Sequence, residues 1–306
     1  MQIRNSLYLV TCLLTLPGNK IVQKALLQCL FFFLFFYLTT FTCPAQTSAD
    51  YSLVLQNGIW VEHFNSTLIK ENRYTENNHL FKQGRRFTYR YYYLDKDGNK
   101  YLQKVDPKLS LDREKGWKLV PLSEKDSLTN DRLQLIVETD LQGVDAQTPG
   151  ANHTPFRWEY FAPAGQLHFL ERSSLVENRK NIWMQPPHAR MFRILALNPF
   201  PFIQAPFQVG NIWVWRQVVA PHWSDLRWAE WKNPLTSHYS YTISREETIA
   251  TAFGFLKCLV VEAEGRSTLG STFLTLHYNT NYGFLKLQYL NIDGSRLLME
   301  LTGIKD

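Results

Sequence analysis

A strict two-residue alternation near the C-terminus constrains this chain more than any other feature. In Tyr282-Gly283-Phe284-Leu285-Lys286-Leu287-Gln288-Tyr289-Leu290, Leu285, Leu287 and Tyr289 share one face, while Lys286 and Gln288 share the other. Successive side chains of an extended strand point to opposite sides, so the segment reads as a strand with one buried face. Asn291-Ile292-Asp293-Gly294-Ser295 supplies a turn, its Asp-Gly pair suited to positive φ. Arg296 to Thr302 resumes the alternation and directs Leu297, Met299 and Leu301 to the core. Residues 282–302 therefore read as a β-hairpin.

The pattern extends upstream. Thr272 to Tyr278 is another strand, and Phe255 to Ala263 precedes it, with Glu264-Gly265-Arg266-Ser267 read as the turn between them. Tyr239 to Ser244 and Glu247 to Ile249 continue the series. Short polar turns between consecutive strands describe an antiparallel meander. In the N-terminal half, Phe87 to Leu94, the Asp97-Gly98 turn and Tyr101 to Val105 form a second hairpin. Arg132 to Glu138, Phe156 to Phe161 and Gln166 to Glu171 are further strands, and 139–155 reads as a loop. Asp225 to Lys232 is the one short helix expected. The fold class is all-β: an antiparallel meander forming a curved sheet, half-barrel or sandwich with little helix, and a sub-boundary near residue 180. Aromatic residues, 14% of the chain with nine Trp, agree with strands and a large buried area.

Residues 1–45 differ from the rest. They contain no Asp or Glu, and Arg4, Lys20 and Lys24 precede the apolar run Ala25 to Leu38. A basic flank, an apolar core and small residues at Cys43 and Ala45 describe a secretory signal peptide cut after Ala45, with Ala49 as a second cut site. The run from Leu26 to Phe41 is short for a bilayer span, so an uncleaved anchor is the alternative. Thr40-Phe41-Thr42 is a poor match to the context of a lipidated cysteine. The expected location is periplasmic or secreted, with membrane contact only through an uncleaved leader.

Cleavage changes two counts. Three of the four cysteines, Cys12, Cys29 and Cys43, leave with the leader, so only Cys258 remains. It sits in an apolar strand pattern and reads as a buried, inert thiol. The full chain carries 33 Lys and Arg against 27 Asp and Glu, and the leader takes three basic residues and no acid. The remaining excess of three no longer argues for an anionic macromolecule. Arg85-Arg86 and Lys70 lie among acids, and no nucleic-acid-binding motif is present.

The densest unusual stretch runs from Pro199 to Pro234. Phe200 and Phe202 lie in a Pro/Phe loop, and five Trp follow within nineteen residues: Trp213, Trp215, Trp223, Trp228 and Trp231. Trp213 and Trp215, two apart in a strand, share a face. Trp228 and Trp231, three apart, would sit side by side on a helix. These seven aromatics are the candidate ligand-binding residues, for an apolar or amphipathic ligand or an envelope partner. A carbohydrate-binding or carbohydrate-active protein with Trp stacking platforms is one alternative, and a structural envelope module with the same Trp in its core is another. Solvent access of Trp213 and Trp215 on a concave face would separate these readings. Asp225 and Glu230 flank Arg227 and read as surface ion pairing rather than a glycosidase carboxylate pair. His188 and His222 belong to no metal-ligand or nucleophile motif. The expectation is a non-enzymatic protein without cofactor or metal.

Residues 235–306 also resemble the β-rich periplasmic proteins of a domain-of-unknown-function family. The segments that carry the resemblance are Glu247-Thr248-Ile249, Lys257-Cys258-Leu259-Val260-Val261, Tyr282-Gly283-Phe284-Leu285-Lys286-Leu287 and Asp293-Gly294-Ser295. It implies a highly curved antiparallel sheet, similar in outline to the unclosed barrels of periplasmic lipoprotein carriers, with an apolar groove. It transfers no catalytic residue.

Overall fold

A computed structural model describes residues 52–63, 78–106, 116–138 and 152–306; the leader, Lys70 and most of the 139–155 loop lie outside them. In chain order the strands are β1 (Leu53–Gln56), β2 (Ile59–Glu62), β3 (Arg86–Leu94), β4 (Lys100–Val105), β5 (Trp117–Pro121) and β6 (Arg132–Val137). Then come β7 (Thr154–Phe161), β8 (Leu167–Glu177), β9 (Asn181–Met184), β10 (Phe202–Gln204) and β11 (Ile212–Val219). The series ends with β12 (Leu235–Thr251), β13 (Gly254–Ser267), β14 (Gly270–Asn279), β15 (Gly283–Leu290) and β16 (Arg296–Lys305).

Fourteen of these strands form one antiparallel sheet with the path β10-β9-β8-β7-β6-β3-β16-β15-β14-β13-β12-β11, and β4 and β5 branch from β3. The expected C-terminal hairpin is β15–β16, paired from Leu290↔Arg296 to Lys286↔Glu300. Its turn residue Gly294 has φ +81°, and the Asp293 carboxylate accepts the amide (3.0 Å) and hydroxyl (2.6 Å) of Ser295. Leu285, Leu287, Tyr289, Leu297, Met299 and Leu301 are all buried, as the alternation requires. Register shifts at Ile243/Arg245, His277/Tyr278 and Leu301/Gly303 mark bulges, which bend strands and add curvature. The sheet curls until it is nearly a closed barrel. Strands on either side of residue 180, β8 and β9, are hydrogen-bonded neighbours.

The inside of the curl is filled by side chains. Tyr89, Tyr91, Phe156, Trp158, Tyr160, Tyr241 and Tyr289 are almost wholly buried. Three of the tyrosine hydroxyls donate to carbonyls: Tyr89 to Phe284 (3.0 Å), Tyr91 to Asn130 (2.8 Å) and Tyr241 to Phe200 (3.2 Å). A buried phenol needs such a partner to avoid a desolvation cost.

Two irregular segments close the ends, and both are held by carboxylates of β8. At one end a 3-10 helix, Arg190–Leu197, lies fully buried. Its Phe192 ring meets Tyr91 (5.0 Å) and Tyr160 (5.6 Å), and Thr272 donates its hydroxyl to the Leu197 carbonyl (2.8 Å). Glu171 anchors the approach to this helix: it accepts the His188 amide (2.9 Å) and the Tyr160 hydroxyl. At the other end, Glu177 accepts the amides of His79 (3.0 Å), Leu80 (2.8 Å) and Phe81 (2.9 Å), and so places Phe81 on Phe87. Burial pushes both carboxyls above their ordinary range.

Three sequence expectations need correction. Glu264 to Ser267 is not a turn but the end of β13, which continues to Ser267. Gly265 serves a close approach instead: a Cβ there would lie 2.7 Å from Thr272 Oγ1 and 2.8 Å from the ring of Tyr239, its cross-strand partner. Asp225 to Lys232 is not helical. Asp225 folds it into a turn, accepting the Arg227 amide on its carboxylate (3.0 Å) and the Trp228 amide on its carbonyl (3.1 Å). The Phe87–Val105 hairpin is only a short contact, because β4 pairs with β3 at two positions and then leaves to join β5. The hairpin β1–β2 is not among the expected strands, although its Asn57-Gly58 pair, with φ +52° and +92°, is a strong turn signal.

Replacing Gly265 by Ala is predicted to destabilise the fold by about 1–3 kcal/mol through overpacking. Gly303→Ala, whose added carbon would meet Thr88 at 3.8 Å, should stay within about 0.5 kcal/mol of the parent. Urea unfolding of both variants checks this; equal stabilities would contradict the role given to Gly265.

Candidate functional site

The terminal strands of the sheet path, β10 and β11, are joined in sequence by residues 205–211, yet they do not pair with each other. Aromatic rings occupy the seam between them. Trp213 stacks on its cross-strand neighbour Tyr241 (5.3 Å, 7° between planes), and Trp215 stacks on Tyr239 (5.1 Å, 23°). From the other side Phe202 meets Trp213 (5.7 Å), while Phe200 (5.0 Å) and Trp183 (5.9 Å) meet Trp215. Trp213, Trp215, Phe200 and Phe202 are 5%, 7%, 6% and 0% exposed. These four candidate residues are therefore packed interior, and the stacked faces of the two Trp are already covered by tyrosine.

Trp223, Trp228 and Trp231 take a different place. They are half-buried around Ala196, Leu197, Val219 and Leu235, at the end closed by the 3-10 helix. The Arg193 guanidinium lies 5.3 Å from the Trp223 ring, and Arg227 lies 4.0 Å from Trp117 and 5.4 Å from Trp228. Asp225 pairs with Arg227 (Nε to Oδ1, 2.8 Å), as expected of a surface ion pair. His188 lies 3.3 Å from the Glu171 carboxylate and against the Trp223 ring. Cys258 is 2% exposed, and burial beside Glu247 pushes its thiol up to about 11, a poor setting for a nucleophile. Among the described residues, no group of three His, Cys, Asp or Glu is placed to hold a metal.

The open surface lies on the other side of β11. The alternation that turns Trp213 and Trp215 inward turns Ile212, Val214, Arg216 and Val218 outward, and the three apolar residues are 67%, 70% and 63% exposed. The β1–β2 turn stands beside them: a Cβ on Gly58 would lie 3.2 Å from Trp215 Cδ1 and 3.4 Å from the Val214 carbonyl. Amide side chains hold this hairpin. Asn181 accepts the Trp60 amide (2.8 Å), Asn178 donates to the Trp60 carbonyl (2.7 Å), and Asn152 donates to the Glu62 carbonyl (3.0 Å). Ile59 and Val61 bury their side chains in the main core. Between the turn and the outer face of β11–β13 runs a groove of about 720 Å³. Its floor carries Val214, Arg216, His238, Ser240, Glu264 and Arg266, with the edge of Trp215 beside them and Asn57 and Gly58 as its wall. Its volume falls within the usual range for small-molecule sites. His238, Arg266 and the turn are absent from the sequence-level candidates. The outward alternation of β11 and the Asn-Gly pair are the signals that point to the groove.

No family model and no curated protein matches the chain. Solved structures similar to it include a protein described as exported, with a YmcC-like fold, from Bacteroides fragilis. That chain is 12% identical, with 74% of this chain and 98% of that chain covered and a TM-score of 0.34. A protein from Parabacteroides distasonis described as a lipoprotein is 10% identical, with coverages of 74% and 97% and a TM-score of 0.38. YmcC from Escherichia coli, also described as a lipoprotein, is 10% identical, with coverages of 78% and 92% and a TM-score of 0.31. The all-β, nearly closed architecture rests on the strand pairing itself.

The seam carries a pH dependence. His153 packs on Trp183 (5.6 Å), and burial holds its imidazole down at about 4, below its ordinary value of 6.5. The neutral ring is favoured in the fold, so the stability it contributes is complete above pH 6.5 and is lost as pH falls toward 4. Glu171 and Glu177, raised by burial, work in the opposite sense. The comparison with His153→Gln isolates the histidine: the variant should lose less stability than the parent between pH 7 and 4 in urea unfolding. Identical pH profiles would contradict the assignment.

Proposed function

We propose that this chain is an exported, non-enzymatic envelope protein that binds an apolar or amphipathic ligand on the outer face of β11, beneath the Asn57-Gly58 turn. The observation that carries the binding site is the groove itself, with Val214 70% exposed on its floor and a wall supplied by a hairpin from elsewhere in the chain. Val214 is the exposed apolar residue of the lining, and Ile212 and Val218 continue the same outward apolar face of β11 on either side of it. The packed interior favours the outer face over the inside of the curl. Export is supported by the basic-then-apolar leader. The carbohydrate alternative takes Trp213 and Trp215 as stacking platforms, and it is disfavoured because Tyr241 and Tyr239 already stack on them.

The test uses the neutral apolar probe N-phenyl-1-naphthylamine, whose fluorescence rises on entering an apolar site. Saturable binding is expected, and Val214→Asp should weaken it at least tenfold, about 1.4 kcal/mol, while leaving the unfolding midpoint nearly unchanged. Absence of saturable binding, or equal affinity in the variant, would overturn the site.

A further inference from the structure

The cross-strand register arranges the polar side of the groove in rows. Arg216 on β11 lies directly opposite His238 on β12, and His238 lies directly opposite Arg266 on β13. Directly opposed residues of adjacent antiparallel strands hold their Cβ atoms about 4.5–5.5 Å apart. Three basic side chains thus form one transverse row on the exposed face, crossing two strand spacings of about 4.8 Å each. The next row is Val214, Ser240 and Glu264, and Ile212 lies one further step along the same edge of β11.

Charge in this row is incompletely balanced. Arg266 pairs with Glu264 at 2.8 Å. Arg216 meets no carboxylate within ion-pair distance among the described residues. Other arginines of the sheet differ in this respect: Arg86 and Arg296 also lack an acid partner among the described residues, whereas Arg245 and Arg90 have one. Arg245 pairs with both Glu247 (3.1 Å) and Glu262 (2.7 Å), and Arg90 pairs with Glu300 (2.7 Å). Glu264, which also lines the groove, holds the Arg266 guanidinium through both carboxylate oxygens (2.8 and 2.9 Å), so Arg216 is the cation of the row left without an acid. A bound anion would balance the charge of Arg216. An arginine fork recognises phosphate or carboxylate oxygens in two-pronged fashion, and a row two strands wide suits the several acceptor oxygens of a phosphate.

Resting on the proposed groove, we infer that its ligand is a single-chain amphiphile with a phosphate head. The head lies across Arg216, His238 and Arg266, and the chain lies along Val214 and Ile212. Charge complementarity selects the head, and the exposed apolar edge of β11 selects the chain.

Calorimetric titration of the full chain with decyl phosphate, decyl maltoside and inorganic phosphate, each amphiphile below its micelle concentration, tests this. Decyl phosphate should bind at least tenfold more tightly than either of the other two. Arg216→Glu should remove the preference over decyl maltoside, whereas Arg245→Gln should preserve it. The circular-dichroism spectrum and urea midpoint of Arg216→Glu should match those of the parent, which shows that the variant is folded.

Equal affinity for decyl phosphate and decyl maltoside in the parent, with the naphthylamine still bound, would overturn the phosphate head and leave the groove standing. Inorganic phosphate binding as tightly as decyl phosphate would overturn the chain. Failure of all three ligands and of the naphthylamine would overturn the groove as well. Retention of the preference in Arg216→Glu would overturn the role of the row.

Discussion

The structure depends on how a sheet with two free ends deals with them. Exposed strand edges present unpaired amides and carbonyls and invite association, and a fully closed barrel removes them. Here the sheet curls far enough for β10 and β11 to approach, but ring packing rather than a hydrogen-bond ladder occupies the seam. Each β11 tryptophan lies flat on a β12 tyrosine and meets a phenylalanine from the far side. Gly265 belongs to the same arrangement, because a side chain there would strike the Tyr239 ring on which Trp215 rests. The Asn57-Gly58 turn stands against the β11 edge and limits access to it.

From that constraint follows the division between the two faces of β11. Residues that seal the seam cannot also offer their ring faces to a ligand, so the interior side of the strand is committed to packing. The outward residues of the same eight-residue strand are free of that duty. They combine exposed valines and isoleucine with an arginine, beside basic residues of β12 and β13. The carboxylates of β8 complete the frame, since Glu171 and Glu177 hold the two irregular segments that fill opposite ends. Their burial is compensated by backbone amides, which is how a charged group inside a barrel is tolerated.

Much of the fold was legible where local rules suffice. The β15–β16 hairpin follows from alternation plus an Asp-Gly turn, and both are properties of adjacent residues. Trp213 and Trp215 share a face, as their spacing demands, but which face meets solvent depends on Tyr239 and Tyr241, more than twenty residues away. Gly265 looks like a turn residue because the ring that requires it is distant in sequence. The buried 3-10 helix has neither strand alternation nor a helix cap, and its position depends on Glu171 and Thr272. Arg216, His238 and Arg266 become a row only once the register of three strands is known. The Asn57-Gly58 turn is the reverse case: a local signal whose importance appears only when the hairpin is seen against β11.

The central claim is that the seam tryptophans are sealed interior while the end-cluster tryptophans remain accessible. Fluorine NMR of the chain labelled with 5-fluorotryptophan, assigned by single Trp→Phe replacements, measures this directly in the presence of a soluble paramagnetic gadolinium chelate. Trp213 and Trp215 should keep narrow signals at chelate concentrations that broaden Trp223 and Trp231 several-fold. Broadening of Trp213 and Trp215 to the same extent as Trp223 and Trp231 would contradict the account.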